Sequence, residues 1–118
     1  MSLDKHLELR DRTKRLAIRV VRMSRALPNN REANIISSQI IRSATGMAAN
    51  YRAVGLARSK AEFVAKIGVV VEEADETLFW LEFLSEIGII KPARLDSLRA
   101  EAKSLVAIFV ASRKTAKS

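Results

Sequence analysis

Hydrophobic residues recur along most of the chain in alternating steps of four and three, the period of a helix with one buried side. In the first segment these positions are Leu9, Thr13, Leu16, Val20, Met23 and Leu27. Three later segments repeat the pattern. It predicts four helices, at about 4–27, 32–54, 60–87 and 92–113.

The second, third and fourth segments each carry an equally regular inward stripe. In the second segment the stripe comprises Ala33, Ile36, Ile40, Ala44, Met47, Tyr51 and Val54. In the third it comprises Phe63, Ile67, Val70, Ala74, Leu78, Leu81 and Leu84. In the fourth it comprises Leu95, Leu98, Ala102, Leu105 and Phe109. Long helices with short connections favour an all-α, up-down-up-down four-helix bundle. A length of 118 residues suits a single domain, 1–118.

The first connection carries signals that end one helix and begin the next. Pro28 disfavours a helical residue before it, and Asn29 followed by Glu32 predicts the start of the second helix.

The later connections are marked in the same way. Ser59 with Glu62 forms a capping box, and Gly55 is expected in a left-handed conformation at the end of the second helix. Gly88 predicts the end of the third helix, and Pro92 suits the first turn of the fourth.

Composition supports the helical fold and narrows the chemistry. Aromatic residues make up 5% of the chain and there is no cysteine, so neither a disulfide framework nor thiol chemistry is expected. No apolar run approaches the roughly 18 residues of a membrane span, and the charged first residues do not resemble a signal peptide. The sequence therefore predicts a soluble, cytoplasmic protein.

Charge is distributed unevenly around a net value of +8. Residues 1–31 carry +6, residues 32–60 carry +3 and residues 91–118 carry +5, whereas residues 61–90 carry −6. Two interpretations stay open: the acidic third helix neutralises its basic neighbours, or the basic helices present a face to a polyanion.

Basic residues of the first and last helices are the candidate nucleic-acid contacts. They are Arg12, Arg15, Arg19, Arg22, Arg25, Arg113 and Lys114. Such side chains bind phosphates without reading base sequence. The competing interpretation is a solvated helix face or ion pairing with acidic neighbours.

A second apolar stripe on the third helix points away from the predicted core. Val69, Phe79 and Phe83 form it, and exposed apolar groups of this kind indicate a subunit interface.

Catalytic and metal chemistry lack the necessary residues. Glu72, Asp75, Glu76 and Glu82 supply carboxylates, but His6 is the single histidine and lies near the start of the chain, so a di-iron bundle site cannot be assembled. Glu76 is instead expected to be half-buried beside Trp80, accepting from an arginine or from a helix start. We expect no enzyme activity and no cofactor. The first helix lacks Trp or Phe anchors, so no membrane partner is expected.

Several motifs together resemble a known family. They are Gln39-x-x-Arg42-Ser43-Ala44, Ala49-Asn50-Tyr51-Arg52, Arg58-Ser59-Lys60-x-Glu62-Phe63, Glu72-x-x-x-Glu76-Thr77-x-x-Trp80-Leu81 and Gly88-Ile89-Ile90. Over about residues 5–112 the chain resembles the four-helix bundle proteins of the 23S ribosomal RNA intervening-sequence family. Many members carry Asn-Ile-Ala-Glu-Gly where this chain has Asn50-Tyr51-Arg52-Ala53-Val54.

The resemblance implies an assembly and partners. The family includes the accessory variability determinant of diversity-generating retroelements, a basic homopentamer that binds nucleic acid and a reverse transcriptase. Similarity to it implies a homopentameric ring here, with RNA or DNA and a reverse transcriptase or another nucleic-acid enzyme as partners. The competing hypothesis is a structural or protein-interaction scaffold that binds no nucleic acid.

Overall fold

The computed structural model describes residues 2–118, and these residues form four long helices and no strand. The helices are α1 (Leu3–Ser24), α2 (Arg31–Val54), α3 (Lys60–Ile87) and α4 (Asp96–Lys117). A 3-10 turn, Pro92–Arg94, precedes α4. The predicted four-helix architecture is confirmed.

Each helix packs against the next in the chain, and α4 returns to pack against α1 through the smallest of the four contacts. The bundle is a rod whose Cα atoms extend over 45 × 21 × 21 Å. Short connections force neighbouring helices to run in opposite directions, so the order is up-down-up-down.

The predicted inward stripes form the core. Every predicted position of the second and fourth segments is buried. In α3, Phe63 and Leu78 are only partly buried, and Thr77 is fully buried instead. The Thr77 hydroxyl can occupy the core because it donates to the Glu73 carbonyl at 2.8 Å and lies 3.0 Å from Ser43 Oγ on α2.

The helix ends differ from the predictions at the first and last connections. Helix α1 ends at Ser24, where the Ala26 and Leu27 amides turn back to carbonyls three residues earlier. The cap of α2 is Asn30, whose side chain accepts from the Ala33 amide at 2.9 Å, so the prediction of Asn29 was wrong. Helix α4 begins at Asp96 because the turn at Pro92 precedes it.

The two glycines that were predicted to end helices behave differently. Gly88 ends α3, as predicted, and it does so with φ of +74°, in the left-handed conformation. Gly55 has φ of −63°, so its predicted left-handed conformation was wrong. Glycine at this position leaves room for the His6 ring: a Cβ atom there would lie 2.6 Å from Nε2 of His6, so the ring would have to shift. The Ser59 cap is confirmed, accepting from the Glu62 amide at 3.0 Å.

Candidate nucleic-acid interface

The arginines of α1 lie on two sides of the helix, and those facing α4 have partners. Arg12 donates through Nε to one oxygen of Glu101 at 3.1 Å and through Nη2 to the other at 2.7 Å. The same Nη2 lies 3.2 Å from Ser104 Oγ. Hydrogen bonding to Glu101 raises the pKa of Arg12. Arg12 therefore links α1 to α4, and its guanidinium is occupied by this bidentate pair.

Arg19 and Arg15 have weaker engagements. Arg19 donates to Ser97 Oγ on α4 at 2.7 Å. Arg15 is largely exposed and lies 3.2 Å from Asp11, one turn earlier on the same helix. An exposed pair of this kind contributes little to stability, so Arg15 remains available to an external anion.

The opposite side of α1 borders a cleft of about 550 Å³ between α1 and α2. Five cationic side chains line it: Arg10, Lys14, Arg22, Arg25 and Arg52. Its remaining lining residues are Ala17, Ile18, Val21, Thr45, Ala48 and Ala49. We call this feature the basic cleft. No carboxylate of residues 2–118 lines it.

Within residues 2–118, the cations of the basic cleft also lack ion pairs. Among the described residues, none of the five lies within 4.0 Å of a carboxylate oxygen. Small residues explain the depth, since Ala48 and Ala49 leave space where larger side chains of α2 would meet α1. Like charges around a concave, partly apolar surface concentrate positive potential there.

The structure brings together only part of the predicted basic set. Arg22 and Arg25 line the basic cleft, while Arg12 and Arg19 face α4. Helices α1 and α4 run in opposite directions, because Arg12 contacts Glu101 whereas Arg19, further along α1, contacts the earlier Ser97. The end of α4 therefore lies beside the start of α1. Arg113 and Lys114, at that end, are far from the part of the cleft that contains Arg22.

Sequence reasoning missed Arg10, Lys14 and Arg52 as site residues. Arg10 and Lys14 are four residues apart, which places them on one side of α1. That spacing was a usable signal, whereas the contribution of Arg52 depends on how α2 packs against α1.

The acidic helix α3 pairs with α2 rather than with the arginines of α1. Arg42 on α2 donates to Glu76 and lies 3.4 Å from Glu73, and its hydrogen bond to Glu76 raises its pKa. Glu76 also accepts from Trp80 Nε1 at 3.3 Å. The predicted environment of Glu76, beside Trp80 and an arginine, is confirmed.

The predicted interface residues of α3 have different exposures. Val69 is 41% exposed and Phe79 is 51% exposed. Phe83 is partly buried and packs edge-on against Trp80, with ring centroids 5.7 Å apart. Phe79 also meets Trp80, at 4.9 Å, so these three rings form one aromatic cluster at the surface.

The part of the chain that the structure describes has neither a group of metal ligands nor a membrane-spanning helix. No three side chains of the types His, Cys, Asp and Glu are grouped so that they could hold a metal ion. Within residues 2–118, no helix has the length and apolarity needed to cross a membrane.

The fold and the cleft define a four-helix bundle with one strongly basic groove, and comparison with known proteins gives its family. The model of the 23S rRNA-intervening sequence protein family matches residues 5–111. The chain belongs to this family, as its motifs predicted.

A solved structure shows the same fold. It is a protein of unknown function from the S23 ribosomal protein family of Bacteroides thetaiotaomicron, with 29% sequence identity and a TM-score of 0.84. The match covers 93% of this chain and 98% of that one. No curated protein matches the chain.

Proposed function

We propose that this protein is a non-enzymatic, oligomeric helical bundle that binds RNA or DNA through phosphate contacts, as an accessory to a nucleic-acid enzyme such as a reverse transcriptase. The observation that carries the proposal is the basic cleft, where five cations meet with no carboxylate of residues 2–118 among the lining side chains. A polyanion supplies the negative charge that the fold leaves out.

The geometry of the cleft changes the set of residues that we propose as phosphate contacts. Arg22 and Arg25 stay in the proposed contact set and are joined by Arg10, Lys14 and Arg52. Arg12 leaves it because Glu101 occupies its guanidinium. Arg15 and Arg19 on the flank, and Arg113 and Lys114 at the far end, serve as secondary phosphate contacts.

Assembly is the second part of the proposal. The exposed Val69 and Phe79, with Phe83 beside Phe79, provide apolar surface for a neighbouring copy in a homopentameric ring. A ring would repeat the basic cleft around its axis. One nucleic-acid chain touching several clefts gains avidity without any new contact.

A salt titration tests the binding. We expect a fluorescently labelled oligonucleotide to bind at 20 mM salt and to be released as salt rises, because each neutralised phosphate adds about −0.7 to −0.9 to the slope of log K against log salt. The variant Arg22→Gln/Arg25→Gln/Arg52→Gln should bind at least tenfold more weakly and lower the slope by about 2–3.

The matched control neutralises three exposed cations outside the cleft, Lys91→Gln/Arg94→Gln/Lys103→Gln. It carries the same change in net charge and should lose less affinity. Absence of binding at 20 mM salt would overturn the proposal.

The scaffold hypothesis is the second candidate, and the exposed Phe79 favours it. Light scattering measures the mass of the assembly and so tests oligomerisation separately from nucleic-acid binding. We expect a multiple of the 13.1 kDa chain mass, reduced by Val69→Ser/Phe79→Ser. A monomer at micromolar concentration would contradict the ring, and an oligomer without nucleic-acid binding would support the scaffold.

A further inference from the structure

We infer that the basic cleft accommodates a single nucleic-acid strand and discriminates against duplex. The inference rests on the proposed function and specifies the form of its ligand. Its basis is the lining of the cleft, in which cationic side chains lie next to apolar side chains between two helices.

The position of the cleft between two packed helices argues against duplex. Helices α1 and α2 pack side by side, and packed helices have axes about 8–10 Å apart. The major groove of B-form DNA alone is about 12 Å wide, so a duplex is much broader than a groove between adjacent helices. It would touch only the outermost cations, with its bases paired and turned inward.

The apolar part of the cleft suits an unpaired strand. Ile18 is 40% exposed and lies among the cations that line the cleft, so a strand held by those cations can cover it. Val21 and Ala48 continue this apolar surface, and Thr45 is its one polar uncharged side chain. Sugars and the faces of unpaired bases can cover it, whereas a duplex keeps its base faces stacked on one another.

The same lining predicts weak sequence preference. Among residues 2–118, the cleft has neither an aromatic ring for stacking nor an amide side chain to pair with a base edge, and its arginines, which could pair with guanine, are assigned here to phosphates. Affinity for nucleic acid should therefore come from contacts with phosphates. The apolar contact should then favour a single strand over a duplex.

The length of the cation row limits the phosphates engaged. Arg10 and Arg25 are separated by 15 residues of α1, or about 22 Å at the helical rise. With at most one phosphate for each of the five lining cations, the salt slope for one cleft should not exceed about −3.5 on a single strand.

The test compares one labelled 15-nucleotide oligo-dT with its oligo-dT·oligo-dA duplex, by fluorescence anisotropy at equal salt. We expect the single strand to bind at least tenfold more tightly. Ile18→Gln, which keeps the charge and changes an exposed site, should weaken single-strand binding three- to tenfold and leave duplex binding within twofold. Val110→Gln, at an equally exposed apolar position on α4, is the matched control.

The outcomes separate this inference from the proposed function. Equal binding of both forms, or no effect of Ile18→Gln, overturns the single-strand inference and leaves the proposed function standing. Absence of binding of either form at low salt overturns both.

A further outcome concerns a different occupant. The exposed face of α3 carries acidic and apolar side chains, so a second copy has the charge to fit the cleft. If Arg22→Gln/Arg25→Gln/Arg52→Gln reduces the mass measured by light scattering, a second copy occupies the cleft and the inference is overturned.

Discussion

The two flanks of α1 carry the same kind of side chain and have opposite roles. Toward α4, Arg12 is held by both oxygens of Glu101 and Arg19 by Ser97. Toward α2, Arg22 and Arg25 border the basic cleft and have no carboxylate within 4.0 Å among residues 2–118. The flank toward α4 links α1 to α4, and the flank toward α2 carries positive charge that these residues leave unpaired.

The neighbouring helix creates this difference. Helix α4 offers an acid and two hydroxyls, whereas α2 offers two alanines, a threonine and another arginine. The role of a basic residue on a helix is therefore set by what faces it. Spacing along the sequence places a residue on a flank without identifying its partner.

The largest expected effect comes from making the cleft flank resemble the α4 flank. Thr45→Glu/Ala49→Glu adds two carboxylates at exposed positions of the cleft. Each pairs with nearby arginines and repels phosphate, so we expect nucleic-acid affinity to fall at least thirtyfold. Folding stability should change by less than about 1 kcal/mol, because exposed ion pairs contribute little.

The control for this variant is Thr45→Gln/Ala49→Gln, which has nearly the same shape and no added charge. It should retain affinity within about threefold. Equal loss in both variants would show that bulk, rather than charge, closes the cleft.

A smaller effect is expected from loosening the α4 flank. Glu101→Gln leaves Arg12 without its carboxylate in a site where these side chains are only 20% and 25% exposed. We expect unfolding free energy to fall by about 1–2 kcal/mol, the usual cost of losing a charged hydrogen-bond partner. Urea denaturation measures this loss.

Arg12→Gln and the double variant complete the cycle. The coupling between the two positions should be about 1 kcal/mol, and nucleic-acid affinity should stay within twofold in all three variants. A coupling near zero would mean that the pair does not fasten α1 to α4.

Much of the fold could be predicted from the sequence because helical periodicity is local. Tyr51 and Phe109 are both buried where their stripes placed them, and Ser59 and Gly88 bound α3 as their chemistry indicated. The choice of Asn30 over Asn29 as a cap is a shift of one residue, which local pattern does not resolve.

The candidate site was only partly predictable because it belongs to two helices. Arg52 enters the cleft through the packing of α2 on α1, and Arg12 lies on the α4 side of α1, where its partner is Glu101, 89 residues away. Gly55 shows the same limit: the close approach at this position comes from the His6 ring on α1, not from the turn that follows.

The smallest expected effect is a change in the pKa of His6, which responds to the positive charge of Arg10 at the cleft. Its ring stacks on Tyr51 with centroids 5.0 Å apart. Burial, and then the positive charge of Arg10, lower the pKa of His6 below its ordinary 6.5. Because it is the single histidine, its NMR signal can be followed through a pH titration without ambiguity.

The sign of the pH effect follows from this lowered pKa. Between the folded-state value and 6.5 the unfolded chain binds more protons than the native one, so stability falls as pH drops through this interval. His6→Phe keeps an aromatic ring at this position and removes the titration, so its stability should fall less on acidification. Arg10→Gln should raise the pKa of His6, because the cleft has no carboxylate among its described lining residues to screen Arg10. An unchanged His6 pKa in Arg10→Gln would mean that burial alone lowers the pKa of His6 and that the charge of Arg10 is screened at this position.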